Sequence, residues 1–179
     1  FLVPGFDANG NPVLEEITFS TLPSPYSLEG RAAKIYFNPR GDANGLFSGP
    51  VAAPRLAKSG NLFIPLDTDS GAALALYAFF EKIYYYEKRV LIEPPLAWPR
   101  TVGLFKSIEG MRAESENNAA YLGAPYNEYI IFPYSNANLT AISFNKGVLG
   151  HEHFHAHFGH LVNDHLVELK SASNFDVEV

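Results

Sequence analysis

The stretch VLGHEHFHAHFGH, Val148 to His160, holds five of the six histidines in the chain. Inside it His151-Glu152-His153-Phe154-His155 matches the pattern H-E-x-x-H. Residues four apart on a helix project about 40° from one another, so two imidazoles at this spacing reach one point in space. A tetrahedral Zn²⁺ needs nitrogen donors at about 2.0–2.1 Å, which such a pair supplies. The glutamate next to the first histidine then faces the open position of the metal, where it can accept a proton from a water that the ion has made acidic. His151 and His155 are thus the candidate metal ligands, and Glu152 the candidate general base.

The flanking residues suit a buried helix. Val148, Leu149 and Phe158 are apolar, and Gly147 and Gly150 admit close neighbours. The remaining histidines belong to another face: His153, His157 and His160 project roughly opposite to the His151/His155 edge. They read as partly exposed polar residues or as hydrogen-bond donors behind the site. His165 returns to the correct face, but about 15 Å further along the axis. Only a break at Gly159 would bring it to the metal. Two other readings of the tract remain, a metal-collecting segment and an ordinary polar helix face.

Working outward, this helix is expected from near Asn145 to about Val162. Asn117–Ser135, NNAAYLGAPYNEYIIFPYS, reads as two strands around a Gly-Ala-Pro turn, and Glu93–Arg100 as a proline-bound loop. Upstream, Asp69 or Ser70 is placed to cap a helix from about Ala72 to Lys88, apolar around most of its circumference and therefore buried. Its Tyr84–Tyr86 triplet points three ways, which suits packing with hydroxyls at the surface better than a stacking platform. Residues 1–68 are β- and turn-rich. Arg31–Phe37 and Asn61–Leu66 are strand candidates, and the repeated Asp-Ala-Asn-Gly at 7–10 and 42–45 marks two turns. The fold class expected is α+β, with a β-rich region over 1–68 packed on a catalytic part over 69–179.

Composition narrows the classes. A chain of 179 residues, 47% hydrophobic, can bury one sizeable core. The net charge of −6 with no basic run argues against nucleic acid as a partner. With no cysteine, thiolate metal sites and thiol nucleophiles are excluded. No apolar run is long enough to span a membrane. The opening FLVPGFDANG has no signal-peptide layout, and both ends suggest a piece of something longer.

The order of elements from Gly71 to Asn163 resembles the catalytic half of a gluzincin peptidase, of the thermolysin and fungalysin type. The likeness implies a zincin-like fold: a long buried helix, a small mixed sheet with an edge strand, then the H-E-x-x-H helix. It implies a zinc-dependent endopeptidase with one catalytic Zn²⁺ and a peptide or protein substrate. Asn118-Ala119 before Ala120-Tyr121 is similar to the start of that family's edge strand, which implies that Asn118 and Ala119 bind substrate backbone. A secreted or extracytoplasmic protein is implied by the same likeness and the trimmed start. A metzincin pattern is excluded, because Phe158 and Leu161 stand where Gly and His are needed. Gluzincins take a third ligand, a glutamate, from a later helix. Here the third ligand is expected beyond Val179, on a further segment or chain that completes the site, with Glu178 as the alternative. Asp67/Asp69 and Glu15/Glu16 are weak candidates for Ca²⁺. A peptidase-like scaffold without catalysis, or a non-catalytic metal-binding protein, is the competing reading.

Overall fold

A computed structural model describes residues 1–38, 40–41, 47–90, 100–105, 118–123, 126–131 and 142–160. Short strands separated by proline and glycine dominate the chain up to Pro65. β1 (Leu2–Phe6) and β2 (Pro12–Glu16) form an antiparallel hairpin. Its turn is the first Asp-Ala-Asn-Gly: Gly10 sits at φ +81° and donates its N–H to the Asp7 carbonyl at 3.1 Å. A positive φ is the reason for glycine there. The second copy, residues 42–45, lies outside the described residues. β3 (Lys34–Phe37) starts three residues later than the alternation from Arg31 suggests. β4 (Arg40–Gly41) pairs with β5 (Phe47–Ser48), and β6 (Leu56–Ser59) with β7 (Leu62–Pro65).

The first helix, α1 (Thr68–Val90), is longer at both ends than the expected 72–88. Its cap is neither Asp69 nor Ser70. Asp67 Oδ1 accepts from the Ser70 N–H at 2.8 Å, while Ser70 Oγ turns to the Arg55 N–H. A carboxylate two residues before Asp69 satisfies the exposed amides and starts the helix earlier. Nor is the helix buried all round: Leu74, Leu76, Tyr77 and Phe80 face inward, whereas Lys82, Tyr85, Tyr86, Lys88 and Arg89 are exposed.

Four strands form a mixed sheet in the order β3-β8-β10-β9, where β8 is Thr101–Leu104, β9 Ala119–Leu122 and β10 Glu128–Ile131. β3, β8 and β10 run parallel, and β9 closes the edge antiparallel to β10. The strand pair expected between Asn117 and Ser135 is therefore present. The loop expected over Glu93–Arg100 falls outside the described residues except at Arg100. One apolar core joins Val3, Leu28 and Ile35 from the first region to Phe80, Tyr129, Ile131 and Leu149.

The second helix, α2 (Lys146–Phe158), runs beside β9. Asn145 is its N-cap, accepting from Gly147 N–H at 3.1 Å and Val148 N–H at 3.2 Å. Leu149 and Ala156 seat it on the core. The α-helical part ends at Phe158 with Gly159, still helical in φ and ψ, as C-cap; the rest of the expected run to Val162, and His165, lie outside the described residues. Replacing Asn145 by alanine should cost about 1 kcal/mol in chemical denaturation, the usual worth of a side-chain N-cap. Among the described residues no helix is long and apolar enough to cross a membrane.

Candidate functional site

The surface of α2 divides its histidines as the helical spacing requires. His151 and His155 are exposed, and their Nε2 atoms stand 3.0 Å apart. Two donors at 2.0–2.1 Å from one tetrahedral ion would be roughly 3.3 Å apart, so a small adjustment of either ring fits the pair to a zinc-class ion. Among the described residues no third donor of His, Asp or Glu joins them.

Glu152 is buried, 9% exposed, and its Oε2 accepts from the Tyr121 backbone N–H of β9 at 2.8 Å. The candidate base therefore ties the H-E-x-x-H helix to the edge strand. Residues two apart on a strand present their backbone to the same side, so Ala119 N–H points to the same outer edge as Tyr121 N–H. That amide is held by the side chain before it, Asn118 Oδ1, at 2.9 Å. Asn118 and Ala119 thus lie at the edge beside α2, with the Ala119 donor satisfied internally; a peptide pairing there must displace the Asn118 side chain.

The opposite face of α2 holds a second cluster. His153 is only 5% exposed and uses both ring nitrogens: Nδ1 meets the Tyr129 hydroxyl at 2.9 Å, and Nε2 meets Glu87 Oε1 at 2.8 Å. His157 Nε2 reaches the same Glu87 Oε1 at 2.8 Å. Arg100, itself buried, pairs with Glu87 Oε2 and lies 5.9 Å over the Tyr84 ring. His153 is thus no partly exposed residue, because α1 and β10 close over it. His160 also finds a partner, the Tyr121 hydroxyl at 3.0 Å. The Glu87, His153 and His157 donor atoms lie within 4.8 Å of one another, and by type and spacing the group could hold a metal ion.

Electrostatics sharpen this second cluster. Burial pulls the Glu87 carboxyl up, but hydrogen bonds from His153 and His157 and the charge of Arg100 outweigh it and hold it at about 2. Glu87 is therefore a carboxylate, able only to accept. Burial pushes the Tyr129 phenol well up, so it keeps its proton. Burial likewise pulls His153 down, against the hydrogen bond to Glu87 that favours its charged form. A neutral His153 with its proton on Nε2 satisfies both neighbours at once.

Of the acids considered for Ca²⁺, Asp67 caps α1 and pairs with Arg55, and Glu15 lies between Lys82 and Lys146. An open cavity of about 650 Å³ is lined by Ser20, Glu81, Lys82, Tyr85 and Arg89, and no described histidine borders it. Convergent donors rather than concavity mark the site on α2.

Comparison of the chain with family models, with curated proteins and with solved structures finds no match. What α2 does is therefore argued from its own geometry. The H-E-x-x-H face was visible as spacing in the sequence. The Glu87 cluster was missed, although His153 and His157 repeat the four-residue spacing of His151 and His155. Glu87 itself carried a signal: an acid in the last turns of α1 opposes the helix dipole and needs a compensating partner.

Proposed function

We propose that this chain is a zinc-dependent endopeptidase with a zincin-like fold, in which His151 and His155 hold one catalytic Zn²⁺ and Glu152 is the general base. The observation that carries the reading is the pair of exposed Nε2 atoms 3.0 Å apart, with Glu152 between them in sequence and bonded to an edge strand. Zinc bound at such a pair lowers the pKa of its water to about 7 and polarises a carbonyl. The chain's residues supply the rest. Glu152 takes the proton from the attacking water and passes it to the leaving amine. The outer edge of β9, at Ala119 and Tyr121, can hold an extended peptide beside α2 once Asn118 Oδ1 and Glu152 Oε2 release these amides. The third ligand is proposed to come from a further segment or chain, with Glu178 as the alternative. A non-catalytic scaffold is the second reading, favoured by the lack of a third donor among the described residues.

Metal analysis after dialysis against Zn²⁺ tests the proposal together with a fluorogenic peptide assay. About one zinc per chain and peptide cleavage abolished by a chelator are expected. His155→Ala should lose that ion and the activity together; full zinc retention in this variant removes the ligand assignment. Zinc at unit stoichiometry with no cleavage of any peptide would favour the scaffold.

A further inference from the structure

One carboxylate on α1 is left half-satisfied beside an open cavity. Glu81 is 5% exposed, and its Oε1 accepts from Ser20 N–H at 2.7 Å, Thr21 N–H at 2.8 Å and Ser20 Oγ at 3.0 Å. Its Oε2 is closed to solvent and has no hydrogen-bond partner among the described residues. Glu81 also lines the cavity of about 650 Å³ between α1 and residues 17–20. We propose that this cavity binds a short peptide by its two free ends, the ammonium on Glu81 Oε2 and the carboxylate at Lys88 and Arg89. The site is separate from α2 and does not rest on the peptidase reading.

The walls select the ligand. A buried acceptor without a donor keeps its full desolvation penalty, so an occupant gains by bringing a donor to Oε2. A charged donor gains most, because its bond to a carboxylate is charge-assisted. At the other end of the cavity stand Lys88 and Arg89, both exposed, seven and eight residues further along α1. A rise of 1.5 Å per residue places them about 10–12 Å from Glu81 along the axis. The occupant therefore needs a cation and an anion at about that separation. An extended tripeptide, at about 3.3–3.6 Å per residue, has its two termini there. A plain anion would satisfy the cations and leave Glu81 unpaired; a plain amine would do the reverse. Lys82, on the same wall, holds Glu15 at 3.4 Å, so the anion is assigned to Lys88 and Arg89.

Between the two ends, Ile17, Ala78 and the rings of Tyr85 and Tyr86 offer apolar surface for a central side chain. The volume lies within the range of about 300–1,000 Å³ usual for small-ligand sites. Entry requires one movement. Tyr85 is 44% exposed, lies one turn beyond Glu81, and is tethered through its hydroxyl to Ser20 Oγ at 2.6 Å. Breaking that bond and turning the ring outward gives the incoming ammonium its path to Oε2.

Isothermal titration calorimetry of the whole chain with Ala-Leu-Ala, both ends free, tests the site with and without ZnCl₂. One peptide per chain should bind, with the same affinity in both buffers. Acetylating its amino end should weaken binding about tenfold or more, the size of a lost charge-assisted bond. Amidating its carboxyl end should weaken it by a smaller factor, since Lys88 and Arg89 are exposed. Glu81→Gln keeps an acceptor for Ser20 and Thr21 but removes the charge, and should bind the free and acetylated peptides alike. Lys88→Ala combined with Arg89→Ala alters only exposed positions, and should bind the free and amidated peptides alike. No saturation at millimolar peptide, or equal binding of the acetylated peptide by the wild type, overturns the site. Binding that appears only with zinc would place the peptide on α2, overturning this site while supporting the peptidase reading.

Discussion

Glu152→Gln should leave bound zinc unchanged and lower peptide hydrolysis about 10²- to 10⁴-fold, the usual contribution of a general base. The substitution is informative because of where Glu152 sits. Its Oε2 accepts from the Tyr121 N–H of β9 at 2.8 Å. The glutamine amide oxygen can accept the same bond, so the contact between α2 and the edge strand is kept while the basic oxygen is removed. Glu152→Ala loses both, and a fall in thermal stability should then accompany the loss of activity. Steady-state kinetics with metal analysis on the two variants separates chemistry from packing. Hydrolysis by Glu152→Gln within a factor of three of the wild type would remove the base assignment.

The Tyr121 contact also bears on how substrate meets the base. An extended peptide adding to β9 competes for the outward amides of Ala119 and Tyr121, now held by Asn118 Oδ1 and Glu152 Oε2. Pairing at Tyr121 would free the Glu152 oxygen at the moment a scissile bond arrives. On the proposed function, the resting carboxylate is restrained by the strand that would receive the substrate.

What could be read from the sequence depended on the range of the interaction. The four-residue spacing in VLGHEHFHAHFGH is local, and so are the Asn145 cap and the Asp7–Gly10 turn. Each was legible because the residues that determine it lie within one turn of helix or chain. The cap of α1 was misplaced by two residues, since Asp67, Asp69 and Ser70 are all competent and only the tertiary demand of Arg55 on Ser70 Oγ decides among them. The edge position of β9 was expected only through the family resemblance, and no alternation in AAYL reveals its partner or its antiparallel sense. Least legible was the Glu87 cluster. Its members are separated by 66 and 70 residues, and only the packing of α1 against α2 brings them together. Helical projection separated His153 and His157 from the His151/His155 edge, but it could not say that a buried carboxylate awaited them.

Glu87→Ala should be the most damaging single substitution for stability among those considered. It removes the Glu87 carboxylate from the buried Arg100 guanidinium and the acceptor from two imidazoles at once. Breaking a buried pair in this way costs about 3–5 kcal/mol, which in a domain of this size lowers Tm by roughly 6–20 °C. Glu87→Gln keeps an acceptor for the imidazoles and should lose less. Acid provides an independent reading of the same group. The Glu87 carboxyl is held at about 2 against an ordinary 4.5, so the unfolded chain binds its proton first as pH falls. Its stabilising contribution is complete above about 4.5 and disappears as pH drops through 2. His153 acts in the same direction at higher pH: burial lowers its pKa from the ordinary 6.5, so its share is complete above 6.5 and begins to fall below it. Wild-type stability followed by urea denaturation should therefore decline first below pH 6.5 and again below pH 4.5. In Glu87→Ala the second decline should shrink by about 3 kcal/mol, the size that a shift of this magnitude implies. An unchanged acid limb in that variant would mean that Glu87 is not the group whose protonation opens the α1–α2 contact.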